Sequence, residues 1–271
     1  MFLNLSDVNL YYEIEGNGPF LFIAQSGEGD ARRTSQLVDN LKRQFTVVTY
    51  DRRGLSRTEF KKNHEESTLN NHSNDLYELI SSLSSTPVDV LGCSIGATIA
   101  LNTSYRYKNI IKRIVAHEPI LPSILSEKDR KLHISELEEI REIYLHGAWM
   151  DGIKKMAAVL GINPHSQTKE ADALIEPMTL ERKPNFDFFI KYDFQSIIDF
   201  DFSLSKIKAV EEHTCIIPAV GKETNQSVFD YKCSQIIANA LNKDLTYFPG
   251  GHNGNTTHPN GYAEMLQKLL K

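Results

Sequence analysis

The sequence predicts an α/β fold, a mostly parallel, doubly wound sheet with a helical cap inserted into it. Three observations lead there. Short apolar runs rich in Val, Ile and aromatics recur along the 271 residues, with helix-periodic stretches between them. Several runs, such as Phe20-Leu21-Phe22-Ile23-Ala24 and Val88-Asp89-Val90-Leu91, are mostly continuous, as strands covered on both faces require. The alternation then stops between about residues 121 and 210, where helix follows helix.

Taken in order, strands are predicted at residues 9–14, 20–24, 45–50, 88–91, 114–116, 215–220 and 245–248. The first can form an antiparallel edge. Helical periodicity appears near residues 32–43, 69–83, 95–107, 226–241 and 261–270. Four further helices, at 127–145, 150–160, 170–178 and 185–198, make up the interruption. The chain therefore divides into a core of residues 1–119 and 211–271 and a helical cap of residues 120–210.

Composition narrows the function. A net charge of −5 gives no basic footprint for nucleic acid. No apolar run approaches the roughly 18 residues of a membrane span. The start, Met-Phe-Leu-Asn-Leu-Ser-Asp, lacks a basic leader, so a cytoplasmic location is expected. The three cysteines (Cys93, Cys215, Cys233) are odd in number and irregularly spaced. They read as reduced thiols, and no metal site or cofactor is expected.

One pentapeptide carries chemistry. Gly92-Cys93-Ser94-Ile95-Gly96 lies between a predicted strand and a predicted helix, the context of a G-x-S-x-G nucleophile elbow. The glycines leave room where the chain turns sharply, and Ser94 projects over a helix N-terminus that favours developing negative charge. The backbone N–H of Ile95 is the natural first oxyanion donor.

On these residues the chain resembles the α/β-hydrolase family over nearly its whole length. Tyr50-Asp51-Arg52-Arg53-Gly54-Leu55-Ser56 adds to the likeness by resembling the family's Asp-x-Arg-Gly turn, with Asp51 and Arg53 read as loop braces. The resemblance implies a histidine base after the last strand, where Pro249-Gly250-Gly251-His252-Asn253-Gly254 supplies His252. His258, at the start of the last helix, is read as a surface residue. In most relatives the acid follows the strand at 215–220, but the aligned residue here is Thr224, and Glu223 is offset by one. Small bacterial serine hydrolases with His-Glu-Pro after the preceding strand use that glutamate. Here the sequence reads His117-Glu118-Pro119. Ser94, Glu118 and His252 then follow the family's Ser…Asp/Glu…His order, with Glu223 the runner-up acid and His117 read as support. The second oxyanion donor falls in Gln25-Ser26-Gly27-Glu28-Gly29, at Gly27 by register or else at Ser26. Gln25 stands where relatives often have histidine.

The cap is rich in aromatics between residues 186 and 202. About half are expected in packing; Trp149, Met150, Phe188 and Tyr192 are expected to line an apolar substrate pocket. The reading is a serine hydrolase acting on hydrophobic carboxylic esters without a cofactor. Its partner is that small molecule, with room for a homodimer through the cap. The same triad serves thioesters, lactones, amides and carbon–carbon bonds. The competing reading is a non-catalytic member of the fold that keeps the pocket to bind a ligand or partner.

Overall fold

The computed structural model describes residues 1–61, 67–163 and 166–271. Its strands are β1 (Phe2–Asn4), β2 (Val8–Glu15), β3 (Phe20–Ala24), β4 (Thr46–Tyr50), β5 (Glu59–Phe60), β6 (Val88–Cys93), β7 (Ile111–His117), β8 (Cys215–Gly221) and β9 (Thr246–Phe248). They form one sheet in the order β1-β2-β4-β3-β6-β7-β8-β9, with β5 also paired to β2. From β4 to β9 every pairing is parallel, and β2 meets β1, β4 and β5 antiparallel. The predicted antiparallel edge is present, and two strands too short to show as apolar runs extend it.

The helices are α1 (Ser35–Leu41), α2 (Leu69–Leu83), α3 (Ile95–Arg106), α4 (Glu127–His146), α5 (Trp149–Val159), α6 (Lys183–Phe188), α7 (Phe194–Asp199), α8 (Leu204–Glu211), α9 (Phe229–Leu241), α10 (Gly254–Thr257) and α11 (Pro259–Leu269). Because side chains alternate across a strand, β3 feeds two cores. Phe22 and Ala24 join Leu76 of α2, Ile99 of α3 and Ile237 of α9. Leu21 and Ile23 join Leu37 of α1 and Tyr262 and Leu266 of α11. Helices thus cover both faces, which is why the central strands read as continuous apolar runs.

Between β7 and β8 the chain is helical at α4 to α8, but residues 170–178 are not. The predicted helix there is replaced by irregular chain tied to the sheet-bearing part of the molecule. Glu170 Oε2 and Oε1 accept from the Asn260 and Gly261 N–H groups, each at 2.8 Å, in the first turn of α11. Gln36 Nε2 donates to the Asp172 carbonyl at 2.9 Å. The Asp172 carbonyl is thus spent on a tertiary bond where a helix would have used it internally, and Pro177 blocks the helix's last turn. The predicted helix at 185–198 is two short α-helices joined by a π-turn, Phe189–Asp193.

Candidate active site

Four adjacent strands, β3, β6, β7 and β8, present the site at their carboxyl ends, where open α/β sheets bind ligands. Cys93 and His117 are the last register pair of β6 and β7, and the Ser94 N–H donates to the His117 carbonyl at 2.9 Å. Ser94 and Glu118 therefore leave neighbouring strands at one level. Both do so with positive φ, 55° and 46°, which few non-glycine residues tolerate outside functional turns. The elbow's glycines are dictated by contact. A Cβ at Gly92 would lie 2.4 Å from Ala97 Cα, and one at Gly96 would lie 2.0 Å from the Ala24 carbonyl oxygen.

Glu118 is buried and its carboxylate is spent on two partners. Oε1 accepts from the Gly221 N–H at 2.8 Å, at the end of β8. Oε2 lies 2.7 Å from His252 Nδ1. The loop bearing His252 is pressed against β8: a Cβ on Gly221 would sit 2.5 Å from Gly251 backbone atoms. Burial alone would raise the Glu118 pKa, but the hydrogen bond from His252 and the charges of His117 and His252 draw it down to about 2. For His252 the balance runs the other way. Burial favours the neutral ring, but the Glu118 hydrogen bond and charge, with Asp230 adding to them, raise its pKa above 6.5. No hydrogen bond joins Ser94 and His252 among the described residues; such bonds often tighten only when substrate is bound. Ser94 is 7% exposed.

The remaining histidine and acid readings separate cleanly. His117 is buried with Nδ1 3.0 Å from the Tyr262 hydroxyl, and burial lowers its pKa to about 4, so the ring is neutral support. Glu223 is hydrogen-bonded to the Thr168 hydroxyl, which also lies 3.1 Å from His258 Nε2. Thr224 is buried, and its side chain helps to lower the Glu118 pKa. Burial pushes the Cys93 thiol, next to Ser94 in sequence, up to about 12, so it stays protonated.

The loop after β3 is held from below by Arg52, a fully buried residue that sequence reasoning passed over in favour of its neighbours. Arg52 Nη2 donates to the Gly27 carbonyl at 2.7 Å and Nε to the Ser26 carbonyl at 3.3 Å. The second bond fixes the peptide plane whose N–H belongs to Gly27. Among the described residues, neither the Gly27 nor the Ile95 N–H is taken by an intramolecular hydrogen bond. Arg52 is held in turn by Asp193 Oδ2 at 2.8 Å, and Asp193 Oδ1 lies 2.9 Å from His72 Nε2. Asp193 ends the π-turn, so the helical segment reaches the loop through a buried ion pair. Gln25 is turned away, donating to the Thr34 hydroxyl at 2.8 Å. Asp51 accepts from the Ala31 and Arg57 N–H groups, and Arg53 grips Asp75 at 2.6 and 2.7 Å, so both brace loops.

The aromatics of the helical segment divide by contact. The Phe188 and Tyr192 rings pair at 4.9 Å, and Phe188 also meets Phe60 of β5 and the Gly54 turn. Trp149 is half-buried against the main core, and Met150 is half-buried beside it at the start of α5. Phe189 is the ring that abuts the loop after β3, where a Cβ on Gly27 would fall 2.3 Å from it. Within an irregular helical turn, sequence spacing gives no means of choosing Phe189 over Phe188.

Comparison with known proteins agrees with this fold. A family model described as the alpha/beta hydrolase fold matches residues 22–168. The chain belongs to the α/β-hydrolase fold family. The uncharacterized hydrolase YraK of Bacillus subtilis is 28% identical over 273 residues, covering 99% of this chain and 95% of the relative. A zearalenone hydrolase of Bionectria ochroleuca is 28% identical over 139 residues, 50% of this chain and 52% of that one. The crystal structure of a bromoperoxidase from Bacillus anthracis superposes with a TM-score of 0.70 at 20% identity, covering 97% of this chain and 95% of the other. Within this α/β-hydrolase no helix among the described residues is long and apolar enough to cross a membrane. No group of three or more His, Cys, Asp or Glu among them is disposed to hold a metal ion.

Proposed function

We propose that this α/β-hydrolase is a serine hydrolase that cleaves carboxylic esters of hydrophobic small molecules through Ser94, His252 and Glu118. The observation that carries the proposal is the 2.7 Å contact between Glu118 Oε2 and His252 Nδ1, made beside the strained turn that bears Ser94. Nδ1–H is thereby committed to Glu118, which leaves Nε2 as the basic atom. His252 takes the Ser94 proton as Oγ attacks the ester carbonyl. The Gly27 and Ile95 N–H groups receive the oxyanion, each such donor being worth on the order of 10²–10³ in rate. The protonated ring then gives its proton to the departing alcohol oxygen, and water releases the acyl group by the reverse sequence. Glu118 stabilises the imidazolium without taking the proton.

In this reading residues 120–210 are a cap over a core of residues 1–119 and 211–271. The loop contact of Phe189 and the apolar character of α5 to α7 favour a hydrophobic acyl chain. The test is intact-protein mass after exposure to a fluorophosphonate, beside Ser94→Ala and Glu118→Gln. One adduct is expected on the parent, none on Ser94→Ala, and much slower labelling of Glu118→Gln. Absence of any adduct on folded parent protein would overturn the proposal and favour a ligand-binding member of the fold.

A further inference from the structure

A second carboxylate faces the working side of His252. Asp230 lies in the first turn of α9, is fully buried, and neither of its oxygens has a hydrogen-bond partner among the described residues. Asp230 Oδ2 is 3.9 Å from His252 Nε2, and Oδ1 is 3.7 Å from His133 Nε2 on α4. The His133 Nε2 atom is buried and unpartnered as well, while its Nδ1 lies 3.4 Å from Glu136 Oε2. The Phe229 ring, 4.9 Å from the His133 ring, forms a neighbouring wall. Two imidazole nitrogens and a carboxylate thus converge without bonding one another. Leaving a buried carboxylate unsatisfied is costly, so such a group in a native protein calls for an explanation. Burial pushes the Asp230 pKa up, against the pull of His252 and His133.

Its position says what would satisfy it. In the proposed reaction His252 Nε2 comes within about 3 Å of the leaving oxygen to hand over a proton. A group 3.9 Å from that nitrogen therefore borders the alcohol half of the substrate, not the acyl half. A carboxylate can only accept hydrogen bonds, and it holds donors strongly. We infer that Asp230, with His133 beside it, forms an alcohol-side subsite selecting esters whose leaving alcohol carries a second hydroxyl close to the ester oxygen. This deepens the serine hydrolase reading and rests on it. As the tetrahedral intermediate collapses to the acyl-enzyme, its bond to the alcohol oxygen breaks and the Nε2 proton goes to that departing oxygen. Asp230 accepts a hydrogen bond from the neighbouring hydroxyl, and no proton is transferred to it.

The experiment compares 2-hydroxyethyl butyrate with propyl butyrate, which differ by a hydroxyl in place of a methyl. The readout is the ratio of their kcat/KM values for the parent, Asp230→Ala and Asp230→Asn. The ratio is expected to fall about tenfold in Asp230→Ala, as for a lost hydrogen bond to a charged group, and by less in Asp230→Asn, which keeps a neutral acceptor. Fluorophosphonate labelling of Ser94 should continue in both, which separates failure of this inference from failure of the triad reading. A 2-(dimethylamino)ethyl ester, cationic at neutral pH, completes the series. If Asp230→Ala lowers its kcat/KM more than that of the hydroxyethyl ester, the subsite selects a cation and the hydroxyl assignment is overturned. A merely structural role would depress all substrates together. An unchanged hydroxyethyl-to-propyl ratio in the folded variants, Asp230→Asn alone if the alanine variant does not fold, would overturn the inference.

Discussion

Replacing Asp193 by alanine tests whether the helical segment helps to hold the loop after β3, the proposed source of an oxyanion donor. The side chains of Asp193 and Arg52 are both fully buried, and their 2.8 Å contact is supported by His72. Removing one partner from a buried pair leaves the other charge uncompensated, at a cost of about 3–5 kcal/mol. A chain of this length unfolds with an entropy of roughly 0.6 kcal/mol/K, so Tm should fall by about 5–9 °C. Arg52 would also lose the partner that aims its other two nitrogens at the Ser26 and Gly27 carbonyls. A loosened donor gives up part of the 10²–10³ that a lost one would cost, so kcat on p-nitrophenyl butyrate should drop by up to about 10². Thermal melts and burst-phase kinetics, both run well below the variant's Tm, measure the two effects separately. Replacing both residues by leucine should restore much of the stability but not the rate, because apolar pairs can substitute energetically for buried ion pairs. Full kcat in Asp193→Ala despite the loss of stability would refute the reasoning and reduce the pair to a packing feature.

Other outcomes follow from the same geometry. His252 must be neutral to accept a proton and its pKa is raised, so kcat/KM should climb with pH along a limb lying above 6.5. In Glu118→Gln the main raising influences vanish while burial remains, so the limb should move to lower pH as the plateau drops by on the order of 10³–10⁴. A limb that stays in place would assign it to another group. Gly96→Ala should yield little folded protein, because its Cβ would overlap the Ala24 carbonyl at 2.0 Å; normal expression and melting would contradict the tight elbow. Glu170→Ala should cost about 1 kcal/mol in urea denaturation through the loss of two hydrogen bonds at the N-terminus of α11, and Glu170→Gln should cost less.

The parallel sheet was legible because its strands are buried on both faces and announce themselves as apolar runs. The α2 boundaries, residues 69–83, match the predicted span because Thr68 caps the helix and its apolar face is regular. The elbow was legible because only glycine fits at 92 and 96, a constraint that local sequence records. What escaped depends on distant partners. Residues 170–178 carry helical composition, yet α11 and α1 recruit their polar groups. Arg52 sits in a motif whose flanking residues attract notice, and its reach to Asp193 spans 141 positions. Asp230 in a first helical turn looks like an ordinary acid favourable to the helix dipole, and only the fold discloses that it is buried opposite His252.

The positive φ at Ser94 has a consequence for the molecule's history. Side chains in such conformations cost on the order of 1–3 kcal/mol each, whereas glycine adopts them without strain and gives back about 0.5–1 kcal/mol in chain entropy. Ser94→Gly should therefore melt higher than the parent while being inert toward ester. The protein carries a standing thermodynamic handicap at the position proposed to do its chemistry. On the proposed mechanism, a descendant released from the need for turnover would gain sturdiness through a single codon change at 94.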